Sequence, residues 1–131
     1  METLSSYTHD KQSALFAETG AFFAFSGEQL KKNIKDGVKY VSLGSGMIVP
    51  KANVDRLLSG LEAITNDGIA TDIRENGMVK IIRRELANYE CFYTGDVSDC
   101  VDALSEYPVT RDEIFAVFNH AKATEDLSEY Y

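Results

Sequence analysis

The chain has 131 residues, of which 44% are apolar and 14 are Tyr or Phe, so it can bury a hydrophobic core without disulfide or metal staples. Its formal net charge is −8, which disfavours a protein that wraps a nucleic-acid backbone, and no apolar run approaches the ~20 residues of a membrane helix. The first ten residues lack the basic start of a secretory signal, and the two cysteines form no disulfide framework. We therefore expect a cytoplasmic protein with free thiols, no membrane contact and no direct nucleic-acid binding.

The first half of the chain predicts two short helices and three strands. The helices cover 10–19 and 28–34, and the strands cover 21–25, 38–43 and 47–49. Gly20 is suited to end the first helix, and Ser26 with Gln29 forms a capping box for the second. The aromatic run "AFFAF" at 21–25 predicts the central strand of the sheet, with 47–49 as its exposed edge.

The second half of the chain predicts helices only. They cover 51–65, 78–92, 97–106 and a last segment that starts at Thr110, where Thr110 and Glu113 form a capping box, while 69–76 is ambiguous. The "NDG" at 66–68 is typical of a helix end. The class is therefore α+β, with a small antiparallel sheet of about three strands and four to six helices. We expect one domain over residues 1–131, with loose ends at about 1–7 and 124–131.

The motifs of catalysis and metal binding are not found in this sequence. "LGSGMIVPK" shares with a phosphate-binding loop only its glycines, because three apolar residues and a proline separate them from the next helix. His9 and His120 lie at opposite ends of the chain, and Cys91 and Cys100 are nine residues apart, which is not a zinc-ligand spacing. We therefore assign no metal, no cofactor and no catalytic residue.

Glu85 breaks the apolar stripe of the helix predicted at 78–92. On a helical wheel it falls between Ile81 and Tyr89, while Arg84 points elsewhere. A carboxylate in such a stripe must be paired or neutralised. Two interpretations stay open. Glu85 is either a general base in the pocket of a small enzyme or ligand-binding domain, or a structural group bonded to a Tyr hydroxyl or to a base from another element.

Acidic residues are concentrated near the C-terminus. Residues 91–131 carry nine acidic and two basic residues, whereas residues 31–60 carry two acidic and six basic ones. The acidic residues that we single out are Asp96, Asp99, Asp102, Glu106, Asp112 and Glu113. The first four step by three, three and four, which places them within about 120° of one another on a helix. This row is either an ordinary solvated face or a docking surface for a basic protein.

Three segments of the chain resemble a family of small, acidic, uncharacterised proteins of bacteriophages and mobile elements. They are "GAFFAFSGEQ" (20–29), "VSLGSGMIVPK" (41–51) and "ELANYECFYTGD" (85–96). None of the three is a catalytic signature, so no functional residue carries over. The resemblance implies a setting, since small acidic proteins of such elements are often inhibitors of host defence, anti-CRISPR proteins among them.

These observations favour a non-enzymatic interaction protein that is borne by a phage or mobile element. It would bind and inhibit a basic, nucleic-acid-binding host protein through the acidic row, in the cytoplasm of the host cell. The alternative is a small enzyme or ligand-binding domain with Glu85 in a pocket. A third interpretation is a homodimer formed through the strand edge at 47–49.

Overall fold

A computed structural model describes residues 2–124 of the protein. The loose end expected at 124–131 falls outside the described residues after Thr124. Within residues 2–124 the fold is α+β, as predicted, with seven α-helices and one three-stranded antiparallel sheet. In chain order the elements are α1 (Leu4–Thr19), β1 (Phe22–Phe23), α2 (Gly27–Asn33), β2 (Tyr40–Ser42), β3 (Met47–Pro50), a 3-10 turn (Lys51–Asn53), α3 (Val54–Asn76), α4 (Met78–Asn88), α5 (Cys91–Thr94), α6 (Ser98–Ala103) and α7 (Arg111–Thr124).

The described chain divides into two compact units. The N-terminal unit comprises residues 2–68, and the C-terminal unit comprises residues 69–124. Helix α3 supplies residues to both units. The single domain expected over 1–131 stays a prediction. Among residues 2–124 no helix has both the length and the apolarity to cross a bilayer.

The sheet of the N-terminal unit has the strand order β1–β3–β2. Strand β3 pairs with β2 across a tight turn and with β1 on its other side, where Phe22 lies opposite Ile48. The prediction that "AFFAF" is central and 47–49 an edge is therefore wrong. Only two residues of the aromatic run pair, and they form one of the two edge strands. Because both sides of β3 are paired, its backbone cannot be the open edge that the homodimer interpretation requires.

Helices α1 and α3 pack closely within the N-terminal unit. Helix α1 begins at Leu4 rather than at residue 10, and Gly20 ends it in a left-handed conformation, as expected. Helix α3 does not stop at "NDG" but continues to Asn76. A Cβ atom on Gly68 would lie 2.5 Å from a methyl carbon of Thr8, so this glycine allows two helices to approach and does not end one.

The C-terminal unit has a continuous apolar core. Its most buried residues come from α4 to α7 and the loops between them: Ile81, Ile82, Leu86, Cys91, Phe92, Val97, Cys100, Leu104, Ile114, Phe118 and Ala121. The rings of Phe92 and Phe118 stack with their centroids 5.4 Å apart. The helix predicted at 78–92 is split, because Glu90 adopts a left-handed conformation (φ 56°) that separates α4 from α5.

Candidate functional site

The six acidic residues singled out from the sequence are all exposed, and we call them the acidic surface: Asp96, Asp99, Asp102, Glu106, Asp112 and Glu113. Helix α6 is shorter than the predicted 97–106, because the chain turns after Ala103. Only Asp99 and Asp102 therefore lie on one helix face. Asp96 precedes the helix, and Glu106 lies in the turns that follow it.

Two carboxylates of the acidic surface also have local structural roles. Asp96 accepts a hydrogen bond from the backbone N–H of Ser98 at 2.9 Å, and hydrogen bonds from Ser98 lower the pKa of Asp96. Glu113 accepts bonds from the backbone and hydroxyl of Thr110, each at 3.0 Å, which confirms the predicted capping box of the last helix.

The other four carboxylates of the acidic surface have no such partner. Asp99, Asp102, Glu106 and Asp112 make no side-chain hydrogen bond and no ion pair with residues 2–124. Arg111 is the one basic residue between Asp96 and Glu113 in the sequence. The charge of this surface is therefore left largely uncompensated by its own segment.

A buried polar cluster includes Tyr107 of the loop that joins α6 to α7. Asp72, near the end of α3, is fully buried, and its carboxylate accepts hydrogen bonds from both terminal nitrogens of the Arg84 guanidinium, each at 2.9 Å. The Tyr107 hydroxyl donates to the same carboxylate at 2.5 Å, and the Asn76 amide donates at 2.8 Å. Tyr107 directly follows Glu106, so the cluster fixes the loop on which part of the acidic surface lies.

The pKa shifts in this cluster follow from burial and charge. Burial alone would raise the pKa of Asp72, but the hydrogen bonds from Arg84, Tyr107 and Asn76 outweigh it and hold the pKa below its ordinary value of 3.8. The hydrogen bond to Asp72 raises the pKa of Arg84. Burial, followed by the hydrogen bond to Asp72, raises the pKa of Tyr107. At neutral pH the cluster is a carboxylate held by a guanidinium and a neutral phenol.

Asp72 was not found by sequence analysis, although a signal for it exists. On a helical wheel that continues past Gly68, Asp72 lies within about 60° of Leu57 and thus on the buried face of the helix. Nothing local marks its partners, because Arg84 and Tyr107 lie 12 and 35 residues away.

Glu85 is paired, and its partner is its neighbour in the sequence. Its carboxylate accepts a hydrogen bond from Arg84 Nε at 2.9 Å, and the side chains of the two residues are 13% and 11% exposed. The expectation that Arg84 points elsewhere is wrong, because its long side chain reaches inward to Asp72 and Glu85 at once. Glu85 lines neither of two clefts of the N-terminal unit, one between α1, α3 and the sheet and one between residues 37–39 and 50–52. The structure thus places this carboxylate in an ion-pair network.

The two cysteines are free thiols in the core of the C-terminal unit. Burial raises the pKa of Cys91, and burial raises the pKa of the Cys100 thiol to about 12. Both thiols are therefore protonated at neutral pH and pack as small apolar groups. Among residues 2–124, no group of three or more His, Cys, Asp or Glu side chains is placed to hold a metal ion.

A protein-family model matches residues 4–129, which is nearly the whole chain. The chain belongs to this family. Its description is "Family of unknown function (DUF7659)". Membership in DUF7659 agrees with the expectation of an uncharacterised family, and it assigns neither an activity nor a host. No curated protein and no solved structure matches the chain.

Proposed function

We propose that this DUF7659 protein is a non-enzymatic interaction protein that binds a basic partner protein through its acidic surface. One observation carries the proposal. Six exposed carboxylates occur between Asp96 and Glu113 against one basic residue, and four of them have no side-chain partner within residues 2–124.

Uncompensated charge of one sign is a property that a binding surface can use. Like charges three or four residues apart on a helix destabilise it by a few tenths of a kcal/mol per pair. A basic partner would replace this repulsion with attraction and would be drawn to the surface by long-range electrostatic steering. The buried Asp72 cluster supports this role, because Tyr107 anchors the α6–α7 loop to it, and an anchored loop would lose less conformational entropy on binding.

The partner that best suits this surface is a nucleic-acid-binding protein of the host cell. A groove that binds nucleic acid presents Lys and Arg side chains at the spacing of phosphates, and a row of exposed carboxylates can occupy it in their place. We propose that the protein inhibits such a target in the cytoplasm, as an anti-defence inhibitor of the anti-CRISPR type encoded by a phage or mobile element. The small size and acidity of the chain support this setting.

The test is an affinity capture from host lysate with a pair of matched variants. In the first variant Asp99, Asp102 and Asp112 become Asn and Glu106 becomes Gln. In the control variant the same exchanges are made at four exposed acids of residues 2–68: Asp10, Asp36, Asp55 and Glu62. Asp96 and Glu113 stay unchanged in both, because each carboxylate accepts a hydrogen bond from a backbone N–H at the start of a helix.

Both variants lose four negative charges, so a difference between them reports position rather than net charge. We expect the wild type and the control to capture one salt-sensitive, basic protein, and the acidic-surface variant to lose it. Equal capture by the two variants would contradict the proposal. Capture of no protein at low salt by the wild type would contradict it too.

A further inference from the structure

A cleft of about 430 Å³ opens in the N-terminal unit, far in sequence from the acidic surface. It is formed by one face of α1, the first half of α3 and the paired strands β1 and β3. Its volume lies in the range of about 300–1,000 Å³ that is usual for small-molecule pockets. The proposed protein-binding function uses no residue of this cleft.

Aromatic rings form one wall of the cleft. Phe16 and Phe23 line it, and their rings stack with centroids 5.3 Å apart. Phe25 extends the stack, with its ring 6.2 Å from that of Phe23 and nearly parallel to it. Although Phe23 and Phe25 are large apolar residues, they are 48% and 74% exposed.

Contacts with the backbone near Gly46 and with Gln29 position the Phe25 ring. A Cβ atom on Gly46 would lie 2.5 Å from the Phe25 ring, so the ring rests directly on the backbone of the β2–β3 turn. Gly46 also has a positive φ of 82°, which a side chain would strain. The backbone N–H of Phe25 donates to the Gln29 side chain at 2.6 Å, which holds the segment that carries the ring. The local backbone therefore positions an aromatic stack whose outer rings are exposed.

Polar groups contribute the rest of the lining. They are the imidazole of His9, the amide of Gln12 and the hydroxyls of Ser13 and Thr65. None of these four side chains makes a hydrogen bond within residues 2–124. None carries a carboxylate, an ammonium or a guanidinium group. The cleft thus combines aromatic side chains with hydrogen-bonding groups that carry no ammonium, guanidinium or carboxylate.

We propose that this cleft binds a planar heteroaromatic ring of the nucleobase class. The ring would stack on the aromatic wall, and its polar edge would exchange hydrogen bonds with Gln12, Ser13 and Thr65. Base-on-aromatic stacking provides affinity for any flat ring, while amide and hydroxyl groups recognise the nitrogen and carbonyl edge of a nucleobase. An aliphatic ligand would leave the polar groups unused, and an anionic one would find no ammonium or guanidinium group in the lining.

The experiment is an NMR titration of the full chain with each of the four ribonucleosides in turn. Met47 lines the cleft, so its methyl resonance reports binding there. We expect at least one nucleoside to shift this resonance saturably, with an upfield displacement from the ring current. Ribose and cyclohexanol serve as probes without an aromatic face, and we expect neither to shift it.

Two matched variants locate the site. Phe23→Leu removes the exposed ring of the cleft, and we expect it to weaken nucleoside binding about tenfold or more. Phe115→Leu makes the same exchange in the C-terminal unit, outside the cleft, and we expect it to bind like the wild type. The proposal is overturned if no nucleoside shifts the Met47 methyl, if cyclohexanol binds as tightly as the nucleosides, or if Phe23→Leu retains the wild-type affinity.

Discussion

The N-terminal and C-terminal units differ in how many apolar residues they bury and in how far their acidic residues outnumber their basic ones. Among residues 2–68, Val49 and Leu57 are the only buried hydrophobic residues, against thirteen among residues 69–124. Six large hydrophobic residues are exposed in the first group and three in the second. Residues 2–68 carry eight acidic and seven basic residues, whereas residues 69–131 carry thirteen and six.

This contrast shows that residue type alone does not decide whether an aromatic side chain is buried in the core or exposed at the surface. Phe92 and Phe118 stack inside the core of the C-terminal unit, while Phe23 and Phe25 stack at the surface of the N-terminal unit. Both are pairs of phenylalanine rings at similar distances. The two pairs differ in burial. The C-terminal unit buries most of the apolar side chains that stabilise the fold, whereas the N-terminal unit exposes more of its large apolar side chains.

The largest expected effect comes from the buried ion pair of the C-terminal unit. In Asp72→Ala the Arg84 guanidinium stays buried without its principal partner, so we expect a loss of about 3–5 kcal/mol in the free energy of unfolding, measured by urea denaturation. The matched change in the N-terminal unit is Glu18→Ala, which removes an ion pair to Arg56 whose side chains are 59% and 60% exposed. We expect it to cost at most about 1 kcal/mol. Similar losses in the two variants would remove the contrast between the units.

The second effect concerns apolar side chains. Leu86 in α4 is fully buried, whereas Leu58 in α3 is 49% exposed. We expect Leu86→Ala to cost about 2–5 kcal/mol because it leaves a cavity. Leu58→Ala should stay within about 0.5 kcal/mol of the wild type, since an exposed position leaves none. A large loss in Leu58→Ala would contradict the exposure of this position.

The smallest effect is a dependence on pH. Because the pKa of Asp72 is lowered in the folded protein, its ionised form stabilises the fold above the pKa of the unfolded chain, about 3.9. That contribution is lost as the pH falls through the lower, folded-state pKa. We therefore expect the stability difference between the wild type and Asp72→Asn to be constant from pH 7 to pH 5 and to shrink below about pH 4. Urea denaturation across this range measures it, and a difference that widens in acid would contradict the assignment.

Local features of the fold were predictable because their causes are local. Residues only a few positions apart determine each of three such features: the capping pairs Ser26–Gln29 and Thr110–Glu113 and the helix end at Gly20. The three strands were placed correctly for the same reason, but their order was not, because the choice of which strand pairs on both sides depends on residues far apart in the chain.

The buried cluster around Asp72 could not be predicted from neighbouring residues in the sequence. Asp72, Arg84 and Tyr107 come from three elements, and Gly68 resembles a helix end in sequence while it serves as a contact point in space. The acidic surface was identified residue by residue, yet the helix on which it was placed ends at Ala103. The sequence does not predict the stack of Phe16, Phe23 and Phe25, because an aromatic run is typical of a buried strand, whereas Phe23 and Phe25 are exposed.

The most direct test of the central claim is a map of the captured partner's footprint on the isotopically labelled protein. Backbone amide spectra are recorded with and without the purified partner at low salt. We expect the perturbed amides to cluster between residues 96 and 113, on and around the acidic surface. Perturbations confined to the exposed apolar residues between 23 and 38 would show that the partner binds the other region, and the account of the acidic surface would be wrong.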